Sequence, residues 1–286
     1  MTPGVSASAG EAGFVLARIA GRTVRIETRW VGPADSDRPL IVFLHEGLGS
    51  VSMWRDFPER LCEAVASRGL VFSRRGYGRS TPPDADERWA PDYMHDETRD
   101  ALPAVFEALG IDPQARPVIL VGHSDGGSIA LLFAALFPER VAAVVAIAPH
   151  IVVEDITVLS IEAAREAFIQ GSLRAGLARH HDDPEATFMR WNRIWLAPAF
   201  RAWSIEREVA AIRCPMLAVQ GVDDPYGTLD QIHGIARLAP QTRLVELPAC
   251  GHSPHRDQPQ ALLDALSAFL NDLHRCARSA SVTSLS

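Results

Sequence analysis

The chain has 286 residues, of which 47% are hydrophobic, enough for one large α/β domain with a sizeable core or one domain carrying an insertion. A formal net charge of −7 with no run of lysines or arginines argues against a nucleic-acid surface. No window reaches the roughly 18 apolar residues of a membrane span and the N-terminus lacks a signal-like pattern, so a cytoplasmic enzyme with no membrane partner is expected.

Residues 1–12, rich in Ser, Ala and Gly, and residues 277–286, rich in Ser, read as disordered ends. Between them, Phe14-Val15-Leu16-Ala17-Arg18 and Thr23-Val24-Arg25-Ile26-Glu27-Thr28 alternate around Gly21-Arg22, which predicts an antiparallel hairpin at a sheet edge. Residues 40–44 predict a buried strand, 57–68 a helix, 70–72 a strand, and 91–109 a helix kinked at Pro103. Strands follow at 118–121 and 141–147. Residues 151–208 break this rhythm, with helical stretches at 162–177 and 189–195 and no obvious strand. Strands return at 216–220 and 242–247. Repeated strand-then-helix units give a mostly parallel, doubly wound sheet, whose ligands bind beyond the carboxyl ends of the strands.

The segment Gly122-His123-Ser124-Asp125-Gly126 joins the apolar strand Val118-Ile119-Leu120-Val121 to a stretch of helical period. Glycine on both sides of a serine in a strand-to-helix turn is the arrangement that pushes the hydroxyl out of the sheet edge as a nucleophile. Such a serine needs a base and an orienting acid. Gly221-Val222-Asp223-Asp224-Pro225 and Cys250-Gly251-His252 supply them, each just past a predicted strand. We expect Ser124 as nucleophile, His252 as base and Asp224 as the acid, with Asp223 its rival.

The order serine, acid, histidine resembles the α/β-hydrolase superfamily over roughly residues 14–275. Leu44-His45-Glu46-Gly47-Leu48-Gly49, followed by Trp54, is similar to the family's oxyanion loop, and Ser73-Arg74-Arg75-Gly76-Tyr77-Gly78-Arg79-Ser80 to its loop after the fourth strand. The resemblance implies an eight-stranded α/β-hydrolase core over 13–150 and 209–276, a helical cap inserted at 151–208, and an oxyanion hole built from the backbone N–H groups of Gly47 and Asp125. It implies no cofactor and no metal. Two positions depart from the pattern: Glu46 stands where glycine is usual, and Ser73 where aspartate is usual. A carboxylate at Glu46 opposes a developing oxyanion unless it is turned away, protonated or paired.

Substrate-facing candidates are Glu46, Asp125, Glu154, Trp191 and Trp195. Asp125 resembles a subset of the family that includes valacyclovir hydrolase-like enzymes, and with Glu46 and Glu154 it forms either an anionic corner for a cationic group or ordinary pairs with Arg74 or Arg75. Trp191 and Trp195, at i and i+4, either present rings to an apolar substrate or belong to the cap's own core. The expected function is hydrolysis of a small-molecule carboxylic ester or thioester by a monomer or homodimer. C–C bond hydrolysis of ring-fission products and a slowly turning-over ligand receptor are the alternatives. Cys62, Cys214, Cys250 and Cys276 lack metal-ligand spacing and read as free thiols, with Cys250 close enough to His252 to confer thiol sensitivity.

Overall fold

The computed structural model describes residues 12–84 and 87–283. Its eight strands form one sheet in the order β1 (Ala12–Ile19), β2 (Arg22–Val31), β4 (Gly69–Phe72), β3 (Ile41–Leu44), β5 (Val118–His123), β6 (Val141–Ile147), β7 (Met216–Gly221) and β8 (Thr242–Leu247). The hairpin β1–β2 and the β2–β4 pair are antiparallel, and every pair from β4 to β8 is parallel. β3, with β4 on one side and β5 on the other, is where the winding reverses, so a crevice opens at its carboxyl end.

Strand side chains alternate between two cores. Val42 and Leu44 enter one apolar cluster and Ile41 and Phe43 the other, and Leu120 is likewise divided from Ile119 and Val121. On the Val42 face lies α4 (Asp125–Leu136), whose residues 125–134 are all buried. A helix apolar all round belongs inside a domain, and this one fixes the end of β5 rigidly. On the other face, α1 (Phe57–Ala64) packs against α11 (Pro259–Thr283).

The expected single helix at 91–109 is three pieces: α2 (Tyr93–Asp96), a π turn over Glu97–Ala101, and α3 (Leu102–Ala108). The wide turn places Pro103 at the start of α3, where its missing N–H and its ring are tolerated. Two further expectations are corrected. The helical stretch 162–177 is α5 (Asp155–Ile169) and α6 (Ser172–Leu177), separated by Gly171 at φ 96°. The tail expected to be disordered from 277 is helical to Thr283, because the run Cys276-Ala277-Arg278-Ser279-Ala280 contains no glycine or proline to end α11. The N-terminal disorder expectation lies outside the described residues except at Ala12, which is already in β1.

The helical insertion leaves and rejoins the core at one point. Val152 and Ser204 form an isolated antiparallel bridge, and the N–H of Ile205 donates to the carbonyl of Ile151 at 2.9 Å. Between them run α5, α6 and α7 (Pro184–Trp195), and the chain returns through α8 (Glu206–Ala211), with α9 (Asp230–Leu238) linking β7 to β8 and α10 (Pro254–Asp257) preceding α11. Among the described residues no helix is long and apolar enough to cross a membrane.

Candidate active site

Ser124 sits between β5 and α4 at φ 53° and ψ −118°, a conformation that costs an L-residue on the order of 1–3 kcal/mol. The flanking glycines make it possible. A Cβ on Gly122 would lie 2.1 Å from the Gly126 carbonyl oxygen, and one on Gly126 would lie 2.0 Å from that of Leu44. The bend is then locked by Ser124 N–H donating to Ile147 at 2.9 Å and by Ser128 N–H donating back to Ser124 at 3.0 Å. Ser124 is 6% exposed, opening on a cavity of about 530 Å³, within the usual range for small-molecule sites.

Across that cavity stands His252. Its Nδ1 lies 2.9 Å from both carboxylate oxygens of Asp224, and Asp224 also receives the N–H of Tyr226 at 2.8 Å and the amide of Gln220 at 3.2 Å. Burial alone would raise the Asp224 carboxyl, but the hydrogen bond and charge of His252 outweigh it and hold the group below its ordinary value. Asp223 is exposed at the rim and directs its N–H to the Cys250 carbonyl. Asp224 is therefore the aspartate that reaches the imidazole. The two loops can approach so closely because Gly221 has no side chain: a Cβ there would be 2.2 Å from the Cys250 oxygen. Cys250 itself is buried, and burial with neighbouring carboxylates pushes its thiol up to about 11, so it stays protonated at neutral pH, against the expected thiol sensitivity.

The loop after β3 reaches the same cavity through Glu46, Gly47 and Leu48. Here His45 works as a brace. Its Nε2 accepts the N–H of Arg74 at 3.0 Å, so its Nδ1 carries the proton donated to the Glu46 carbonyl at 2.7 Å. That carbonyl also takes the Gly49 N–H and an Arg74 guanidinium hydrogen. The N–H of Gly47 has no protein partner among the described residues, and the N–H of Asp125 opens α4, where first-turn amides lack intrahelical partners.

The three acidic candidates do not form one anionic corner. The Asp125 carboxylate is buried, accepts from the Tyr93 hydroxyl at 2.8 Å and faces Arg74 at 3.8 Å. Glu154 is drawn away to Thr228, which donates through both N–H and hydroxyl, and to Gln231. Glu46 lines the cavity, as Asp125 also does, and lies 3.4 Å from His123 Nδ1. Trp191 and Trp195 are placed as either reading requires. They line the cavity and also belong to the core, Trp195 packing on Phe200 at 4.9 Å and Trp191 on Phe188 at 5.8 Å.

Comparison with known proteins decides the ancestry. A family model described as Alpha/beta hydrolase family matches residues 41–265. The chain belongs to that family. It is 26% identical to the sn-1-specific diacylglycerol lipase ABHD11 of Mus musculus over 271 residues, covering 82% of each chain. It is 27% identical to the putative carbamate hydrolase RutD of Caulobacter sp. (strain K31), covering 84% of this chain and 93% of that one. The enol-lactonase of Burkholderia xenovorans LB400 shares the fold, with a TM-score of 0.69 and 20% identity over 90% of this chain and 99% of that one.

As an α/β hydrolase the protein is a hydrolytic enzyme, and its framework includes residues that sequence reasoning missed. His181, from the helical insertion, accepts the Gly78 N–H on Nδ1 at 2.9 Å and donates from Nε2 to the Leu48 carbonyl at 2.9 Å, tying the insertion to both core loops. Tyr226 lies 4.7 Å from the His252 ring. Glu27 of β2 supplies the carboxylate missing at position 73: its Oε2 accepts from the Ser73 hydroxyl at 2.7 Å and the Arg79 N–H at 3.0 Å. Only Ser73, through its departure from the family pattern, signalled that a partner was needed.

Proposed function

We propose that this hydrolase cleaves a small-molecule carboxylic ester or thioester through an acyl-enzyme formed on Ser124. The observation that carries the reading is the grip of Asp224 on His252 across a cavity that also exposes a strained serine. With Nδ1 protonated and held by the carboxylate, Nε2 of His252 is the lone pair that faces the work.

In this reading His252 Nε2 takes the Ser124 proton as Oγ attacks the acyl carbonyl. Asp224 stabilises the imidazolium that results. The N–H groups of Asp125 and Gly47 receive the oxyanion, each worth about 3 kcal/mol. Collapse expels the alcohol or thiol with the proton returned by His252, and water, activated by the same imidazole, releases the acid. The inserted helices act as a cap: Ile161, Leu173, Leu177, Trp191 and Trp195 give the cavity apolar walls that suit a hydrocarbon acyl or alcohol group and exclude bulk water.

The test is steady turnover of p-nitrophenyl esters alongside a panel of thioesters, amino-acid esters and ring-fission products. Activity on simple esters that disappears in Ser124→Ala supports the reading. Turnover of ring-fission substrates alone would replace it with C–C bond hydrolysis.

A further inference from the structure

Beside the nucleophile lies a pair that the mechanism above does not use. The His123 ring is fully buried, and its Nε2 lies 2.6 Å from the backbone carbonyl oxygen of His252. A carbonyl oxygen only accepts, so Nε2 carries a proton, and in a neutral ring Nδ1 is then a bare lone pair. That Nδ1 has no other partner and faces the Glu46 carboxylate at 3.4 Å. A buried lone pair facing a carboxylate is left unsatisfied, a costly arrangement that a proton on Nδ1 removes.

We propose that His123 carries a proton on Nδ1, held against Oε2 of an ionised Glu46 as an ion pair, and that this pair is the positioning device that fixes the His252-bearing loop to the end of β5. The consequence for the loop is direct. A donor ring carrying positive charge makes a shorter and stronger hydrogen bond to the His252 carbonyl than a neutral ring does. The consequence for the oxyanion is electrostatic. Glu46 is the unexpected acid of the oxyanion loop, and a positive partner beside it cancels most of the field that would oppose negative charge at Ser124.

The surroundings agree with an ionised Glu46. Burial works against its charge, but the contact and charge of His123 hold its carboxyl well below the usual range. The other groups around the pair do not compete for the proton. His255, whose ring centroid lies 5.2 Å from that of His123, is driven down to about 3 by burial and by His123. His45 is neutral by its bonding, with burial and Arg74 lowering it, and burial lowers His180 and His181 of the insertion as well. His252 lies 5.2 Å away, ring to ring, and is committed to Asp224.

The structural arm of this inference is independent of the proposed ester hydrolysis, while its kinetic arm rests on it. Nitrogen-detected NMR of the full chain with labelled histidine should show His123 protonated on both nitrogens at neutral pH. In Glu46→Gln the side-chain amide can donate to Nδ1, so the ring should revert to neutral and lose its own Nδ1 proton. Glu46→Ala should lose that proton and lower kcat on a neutral ester about tenfold with KM within about twofold, with the acidic limb of the kcat profile displaced. Glu46→Gln should recover part of that rate, because Nδ1 is again satisfied although the ring has lost its charge. A wild-type His123 with a bare Nδ1 overturns the ion pair. An unchanged kcat and pH profile in Glu46→Ala overturns the positioning role. A protein that shows the ion pair but hydrolyses no ester supports the pair and sinks the ester-hydrolysis reading instead.

Discussion

Both carboxylate oxygens of Asp224 lie 2.9 Å from Nδ1 of His252, whereas Asp223, one residue earlier, is exposed at the cavity rim. The difference comes from the turn after β7, where the Tyr226 N–H and the Gln220 amide clamp Asp224 inward. It gives the first prediction. Asp224→Asn should lower turnover of an ester by on the order of a thousandfold or more, because an amide cannot hold the required tautomer. Asp223→Asn should stay within a few fold of wild type in the same steady-state assay.

Acid sensitivity should follow from buried histidines as well as from Asp224. For His255, the folded-state value of about 3 lies below the ordinary 6.5, so the unfolded chain binds the extra proton between those limits. Its contribution to stability is therefore complete above about pH 6.5 and is lost as pH falls toward 3, at up to ~1.4 kcal/mol per unit. His45 and His150, also lowered by burial, act in the same direction. Asp224 adds a later loss: its depressed value gives stability that is present at neutral pH and disappears as pH falls through its folded value. Urea midpoints measured across this range should decline from just below neutrality, and His255→Phe should flatten the slope between about pH 6.5 and 3.

Trp191 should reveal its double role by failing in two ways. Its indole nitrogen lies 2.2 Å from where a Cβ on Gly47 would be, and the residue is only 6% exposed. Trp191→Ala should cost about 3 kcal/mol or more of stability, as deletions of buried aromatic rings do. It should also raise KM for esters with an apolar acyl chain. Thermal unfolding with a normal KM would assign the ring to the core alone.

Much of this organisation was legible in the sequence because it is local. The strand at 141–147, the edge hairpin and the elbow all follow from alternation, glycine placement and short-range period, and the order of Ser124, Asp224 and His252 pointed to the α/β-hydrolase fold. What was not legible depends on contacts distant in sequence. Nothing near Glu154 indicated that Thr228 and Gln231 would capture it, and nothing in β2 marked Glu27 as the carboxylate for Ser73. The π turn ahead of Pro103 was legible only as a kink at the proline.

The Glu27 substitution of a missing acid can be tested on its own. Glu27→Ala removes the acceptor for the Ser73 hydroxyl and the Arg79 N–H, and should destabilise the fold by roughly 1–3 kcal/mol in urea unfolding. Adding Ser73→Asp to Glu27→Gln should restore part of that loss by returning a carboxylate to the same loop.

The most direct measurement of the central claim is intact-mass and peptide-mass analysis of the full chain after treatment with a fluorophosphonate probe, run beside ester hydrolysis. The account requires a single adduct on Ser124, formed in step with the loss of hydrolysis, and neither adduct nor hydrolysis in Ser124→Ala. Ester hydrolysis that persists in Ser124→Ala, or an inactivating adduct on another residue, would contradict it.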